Sequence, residues 1–151
     1  MKRELEIQWP ELQSKIVAEF LWEDAPRICE TIWRALPFES ISVHAMISGQ
    51  MFYNPTKIHV PQFIENVKSL HQLKPGEMTF SPVLSSNIVF IYGIVTEPMD
   101  QCIFAKVKDS DLENLKKVGV MIWENMMVRA DLNSNRYIKK FLKVIYRRRE
   151  I

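Results

Sequence analysis

Residues 43–55, VHAMISGQMFYNP, decide how this chain is read. Val43, Phe52 and Tyr53 are residues that favour a pleated, half-buried surface, and Pro55 ends the run. A Ser48-Gly49 pair interrupts its middle, where an extra residue or a sharp bend suits a bulged strand better than a straight one. The same thirteen residues carry a histidine, a serine and a tyrosine. A strand that collects polar side chains around a flexible point is either a bulged wall or one side of a binding groove.

Working outward, residues 3–9 alternate (Leu5, Ile7, Trp9) and Pro10 stops them. SKIVAEFLW, 14–22, is a stronger strand with Ile16, Ala18, Phe20 and Trp22 on one face. The period then changes. Asp24 is the expected N-cap and Pro26 lies in the first turn of a helix striped by Ile28, Thr31, Ile32, Ala35 and Leu36, which Pro37 ends. A short helical patch is expected over 62–70 and a Pro75-Gly76 turn follows it. Residues 78–82, 87–95 and 101–107 read as strands. Beyond 108 the pattern becomes helical. Ser110 and Glu113 form a capping-box pair ahead of Leu112, Leu115, Val118, Ile122 and Met126. Asn133-Ser134-Asn135 breaks that helix, and Tyr137, Ile138, Phe141, Leu142, Ile145 and Tyr146 mark a second. The expectation is a mainly β body over 1–108, followed by an α-helical hairpin over 109–151. The hairpin's apolar stripe has to pack on the barrel or on a second copy, making a homodimer.

Composition narrows the function. Of 151 residues, 47% are hydrophobic and 25% charged, which suits one domain with a buried core. No apolar run approaches the roughly 20 residues of a membrane span, and MKRELEIQWPEL lacks the apolar core of a secretory signal. A cytoplasmic protein with no membrane partner is expected. Net charge is +2, and the dense basic run is Arg147-Arg148-Arg149, read as a solvated helix end, so nucleic acid is not an expected partner. Cys29 and Cys102 read as buried thiols. His44, His59 and His71 lack metal-ligand spacing, and four dispersed glycines cannot build a dinucleotide loop, so neither metal nor cofactor is expected.

The segment 14–36 resembles the opening of a cyclophilin. Lys15 to Phe20 follow that family's G-x-V-x-x-E-L strand, and Asp24 to Arg27, Glu30 and Trp33 to Leu36 follow D-x-x-P-K-T-x-E-N-F-x-x-L. Against F-H-R-V-I-P-G-F-M, the residues His44, Ile47, Gly49 and Met51 coincide, and 85–91 is similar to the family's G-S-Q-F-F-I strand. The resemblance implies a closed β-barrel of about eight strands. Two departures bear on activity: Ala45 stands where the family has its catalytic arginine, and Gln50 where it has a pocket phenylalanine. Prolyl isomerisation is therefore disfavoured, although a residual isomerase and a non-catalytic binding module are alternatives.

A narrower resemblance covers APRICETIWRALPFESISVHAMISGQMFYNPTKI, 25–58, which is similar to cyclophilin-like proteins related to the cucumopine and mikimopine synthases. It implies a cofactor-free opine-type synthase that condenses L-histidine with 2-oxoglutarate. An imine forms, and the imidazole carbon attacks it in a Pictet–Spengler cyclisation. Analogy with the cyclophilin groove gives a lining of Ala45, Gln50, Met51, Tyr53, Thr79, Phe80, Ser81 and Asn87. The candidate acid–base residues are Tyr53 from that lining, His44 as the histidine inside the matched motif, and Glu77 on the Pro-Gly turn. Ser48, Gln50, Met51, Lys57, Thr79, Phe80, Ser81, Ser85, Ser86 and Asn87 are the candidate substrate-binding residues. Each has a plain structural alternative as barrel filler, turn residue or solvated side chain.

Overall fold

The computed structural model describes residues 1–58, 64–81, 86–129 and 141–151. Its strands are β1 (Arg3–Trp9), β2 (Ser14–Phe20), β3 (Phe38–His44), β4 (Gly49–Pro55), β5 (Val67–Ser69), β6 (Glu77–Ser81), β7 (Asn87–Val95), β8 (Asp100–Val107) and β9 (Leu142–Glu150). Two helices accompany them, α1 (Pro26–Ala35) and α2 (Leu112–Arg129). Hydrogen bonding runs β2-β1-β9-β3-β4-β7-β6-β8, and β8 returns to β2 through Ala18↔Val107 and Phe20↔Ala105. The result is the expected mainly β, cyclophilin-like closed barrel of eight antiparallel strands. β5 is a ninth strand that takes the other half of the β8 edge, from Val67↔Cys102 to Ser69↔Asp100.

Alternation fixes which side chains point inward. Leu5, Ile7 and Trp9 of β1, Ile16, Ala18 and Phe20 of β2, and Ile88, Phe90 and Tyr92 of β7 enter the main core. Trp9 meets Phe52 and Phe90 edge-on at 5.9 Å each, and those two rings stack at 4.8 Å. Trp9 Nε1 donates to Ser42 Oγ at 2.8 Å, Ser42 and Asn54 are 2.7 Å apart, and Asn54 reaches the Tyr146 hydroxyl. The wholly buried Tyr146 thus keeps a hydrogen-bond partner.

Strands β7 and β8 are also covered outside the barrel. Met51, Val89, Ile91, Val95 and Ile103 form a second cluster under Leu70 and Leu73, which follow β5. Burial on both faces explains why NIVFIYGIV and CIFA read as nearly continuous apolar runs.

The helices close opposite ends. Phe20 and Phe38 mark the end where α1 buries Ile28, Cys29, Ile32 and Trp33; Ser14 and His44 mark the end covered by α2. Asp24 does not cap α1. The N-cap position is Ala25, and the Glu65 carboxylate accepts the free N–H groups of Arg27 and Ile28 at 3.2 and 3.1 Å. Nor does Ser110 cap α2: it lies within a 3₁₀ turn, Asp109–Asp111, and Asp111 accepts the Val17 N–H at 2.8 Å. In the region expected to be a helical patch, 67–69 is β5 and 70–72 a 3₁₀ turn; 62–63 lie outside the described residues.

The larger correction concerns the helical hairpin. Its first arm is α2, but where the second arm was expected, residues 142–150 are β9, seated between β1 and β3. Leu142, Val144 and Tyr146 point inward. Phe141, Leu142, Ile145 and Tyr146 also satisfy a helical period, and short apolar runs fit both patterns. The two open sheet edges decide the outcome. The arginine run is consequently part of the barrel wall: Arg147 bonds Gln8 at 2.6 Å, Arg148 lies 5.5 Å over Trp33, and Arg149 reaches Glu4 at 3.6 Å. Tyr137, Ile138 and the 133–135 break lie outside the described residues.

Burying Leu142, Val144 and Tyr146 contributes roughly 1.5–3 kcal/mol per side chain, comparable in sum to the roughly 5–15 kcal/mol stability of a domain. A chain ending at residue 141 is therefore expected to lose cooperative unfolding in urea, with dispersed amide resonances collapsing. A removable helical arm would leave both intact.

Candidate active site

The end of the barrel under α2 collects the polar side chains that the interior does not consume. His44 is the last residue of β3 and, like Ser42, points inward. Its Nδ1 lies 2.7 Å from the Ala45 carbonyl, which can only accept, so Nδ1 carries the proton and Nε2 is a free lone pair. Tyr92 of β7 donates its hydroxyl to that Nε2 at 2.5 Å. Trp123 of α2 packs edge-on to the imidazole at 5.0 Å, and the Met126 sulfur accepts the His44 backbone N–H at 3.1 Å. Burial pushes the His44 pKa below its ordinary value, opposed by the Ala45 carbonyl, and burial raises that of Tyr92. The pair is therefore a neutral imidazole facing a protonated phenol, able to pass one proton between them.

A cavity of about 370 Å³ opens beside this pair, lined by His44, Ala45, Met46, Ile47, Gly49, Gln50, Tyr92, Val120 and Trp123. Gly49, at φ +123°, lets β4 start in a bulge against Val95, which a side chain would resist. Gly119 gives Tyr92 its seat. A Cβ there would lie 2.4 Å from Tyr92 Cε1 and 2.5 Å from Cδ1, so the ring lies directly on the helix backbone.

Of the residues expected from sequence, His44 and Gln50 line this cavity. Tyr53 pairs with Val43 and Val89 and packs in the outer cluster, as does Met51, on the opposite face of the sheet from His44's partner Phe52. Glu77 opens β6 and accepts the Lys74 N–H at 2.9 Å. Ser48 donates to the Glu97 carboxylate, while its carbonyl accepts the Thr96 N–H at 3.0 Å. Lys57 is exposed beside a separate cavity of about 570 Å³ between 38–41 and 55–58. Thr79 is wholly buried and donates to Gln101 at 3.2 Å, and Phe80 is interior core. Ser81 and Asn87 pair across β6 and β7, and the Ser86 carbonyl accepts from Thr56. Ser85 lies outside the described residues. One continuous groove does not form from this set, because strand alternation sends its members to both faces and Leu70 and Leu73 cover the outer one. Tyr92 and Trp123 also line the cavity and Gly119 backs the tyrosine, although the sequence does not mark any of the three as a site residue. The available signals were a tyrosine ending the inward row Ile88, Phe90, Tyr92, and a glycine inside an amphipathic helix.

Over residues 9–83, just under half its length, the chain matches the model of a family described as "Protein of unknown function (DUF3830)". The fold is shared with McbB. The structure of McbB in complex with tryptophan superposes with a TM-score of 0.81 at 22% identity, over 97% of this chain and 45% of that one. The chain thus spans less than half of McbB. The solution structure of the hypothetical protein AF2241 from Archaeoglobus fulgidus is also similar, with a TM-score of 0.60 at 16% identity, covering 98% and 95%. No curated protein matches. Among the described residues, no helix is long and apolar enough to cross a membrane, and no cluster of His, Cys, Asp and Glu is arranged to hold a metal.

Gly119→Ala is expected to lower the urea midpoint. Alanine gains about 1 kcal/mol of helix propensity over glycine, but overpacking against a fixed ring costs about 1–3 kcal/mol. A raised midpoint would show that Tyr92 does not rest on α2. For His44, the unfolded chain titrates near 6.5 and the folded chain lower, so the unfolded state binds more protons as the pH falls. The stability held by the neutral imidazole is complete above about pH 6.5 and is lost as the pH drops toward the folded value. Urea titrations between pH 8 and 5 should show this slope in wild type and a shallower one in His44→Gln.

Proposed function

We propose that this chain is a cofactor-free cyclase of the Pictet–Spengler type, joining the amine of an aromatic amino acid to a carbonyl compound. The reactants proposed from the resemblance of 25–58 are L-histidine and 2-oxoglutarate. The observation that carries the reading is the His44–Tyr92 pair beside a cavity of about 370 Å³. Such a volume is ordinary for small-molecule sites. McbB, whose fold this chain shares, is held in its structure with tryptophan, which supports an aromatic amino acid as the amine partner.

The chemistry needs two proton transfers. The amine adds to the carbonyl carbon, and the resulting carbinolamine loses its oxygen as water, leaving the iminium. Tyr92 donates toward that departing oxygen. The ring carbon then attacks the iminium carbon, forming the new C–C bond, and the ring loses its proton. The Tyr92 oxygen, left without its proton by the dehydration step, takes up the ring proton and so returns to its resting form, again donating to His44 Nε2, whose Nδ1–H the Ala45 carbonyl holds. The sum is two reactants converted to product and one water, with no change of oxidation state. Positioned acid–base groups of this kind contribute roughly 10²–10⁴-fold. Trp123 is a flat wall against which an aromatic reactant stacks.

Mass spectrometry of the protein incubated with L-histidine, or L-tryptophan, and 2-oxoglutarate without nucleotide is expected to show product at the summed mass less one water. Tyr92→Phe and His44→Gln should each reduce turnover by about a hundredfold. A strict requirement for a nicotinamide would sink the mechanism. Saturable binding of reactants with no product would favour a binding module instead.

A further inference from the structure

Gln50 differs from the other polar residues of the cavity in being held without being consumed. Its Oε1 accepts the Ile94 backbone N–H at 2.8 Å. A backbone N–H can only donate, so this contact fixes which end of the exposed Gln50 amide is oxygen and leaves NH₂ as the other end. That NH₂ group donates to no described residue. The side chain lies across Gly93, where a Cβ would stand 1.8 Å from Gln50 Oε1 and 2.5 Å from Cδ. Gly93 has no left-handed φ, so space and not backbone conformation is what the missing side chain provides. Elsewhere in the lining, His44 and Tyr92 are committed to each other, and no Lys, Arg, Asp or Glu is among the described residues there.

We propose that the Gln50 NH₂ group is the fixed donor that holds a carboxylate or carbonyl oxygen of a 2-oxo acid in this cavity, with Gly93 as the positioning residue that seats it. The inference rests on reading the cavity as a substrate site and assigns it a recognition element separate from the acid–base pair. A donor already oriented before the ligand arrives loses little conformational freedom on binding. Removing it while keeping the side chain's size should therefore act on binding of the carbonyl reactant and leave the proton transfers in place.

The test pairs a binding readout with turnover. The Gln50 side-chain NH₂ resonances, identified by their loss in Gln50→Glu, are followed in ¹⁵N spectra of the full chain titrated with pyruvate and with 2-oxoglutarate. Saturable shifts are expected, and Gln50→Glu should weaken binding, or raise the KM of the carbonyl reactant, by about tenfold or more, with kcat changed by less than about threefold. Gly93→Ala, which evicts the amide from its seat, should move KM in the same direction. Wild-type turnover combined with stationary NH₂ resonances and an unchanged KM in Gln50→Glu would overturn the inference and leave the cyclase reading standing. NH₂ shifts lost in the variant, in a protein with no turnover, would uphold the donor and remove the cyclase. Absence of both would overturn both.

Discussion

Closure of the sheet is the constraint from which the other features follow. An eight-strand barrel has no free edge only when β8 meets β2 and when some strand fills the place between β1 and β3. That second vacancy is filled by the most C-terminal strand, so the chain has to return across one mouth of the barrel after β8. α2 is that return. Its route puts Gly119, Trp123 and Met126 over the barrel end where β3 and β7 stop. The site is thus a consequence of topology: the helix that carries the chain to its last strand is also the wall of the cavity.

Burial then sorts the inward polar residues by what each can do. Ser42 and Asn54 lie deeper, and between Trp9 and Tyr146 they form a hydrogen-bonded row inside the barrel. Leaving any of these groups unpaired would cost about 1–3 kcal/mol, which makes the row structural. His44 and Tyr92 stand one step nearer the mouth. They are nearly as buried as the deeper row, but they line an open cavity, and each can exchange a proton with the other. The same polar face of β3 therefore carries a structural residue at 42 and a chemically available one at 44.

Much of the barrel was legible because alternation is a local property. β1, β2, β7 and β8 announce themselves through period-two patterns or apolar runs, and Pro26 and Pro37 bracket α1. The stretch that reads as one bulged strand, however, is two: β3 ends at His44, β4 starts at Gly49, and residues 45–48 turn between them so that Val43 pairs with Tyr53. β9 was not legible, since FLKVIY satisfies both periods and only the vacancy between two distant strands distinguishes them. The cap on α1 was equally hidden. Glu65 lies 37 residues from Ile28, and only the fold brings its carboxylate to the helix start. Within the site, His44 could be read from its motif, but Tyr92 could not. Both faces of β7 are apolar, so nothing local tells that its tyrosine faces a cavity while Tyr53 packs beneath Leu70 and Leu73.

The covering of the outer face also explains where a ligand site can be. In a barrel whose β4–β7–β6–β8 wall is bare on the outside, that wall would be the natural place for an extended ligand. Here β5 pairs along β8, and the residues after it lay Leu70 and Leu73 over Met51, Val89, Ile91 and Ile103. The segment turns an exposed apolar surface into a second core, and Ala45, Met51 and Tyr53 pack within or against it. With that face taken up by the chain itself, the surface that remains concave, polar and reachable beside His44 is the barrel end under α2. The Ala45 position supports the same conclusion from the opposite direction. A small residue that offers only its carbonyl to His44 Nδ1 fixes the tautomer of the imidazole, so the position serves the acid–base pair through its backbone.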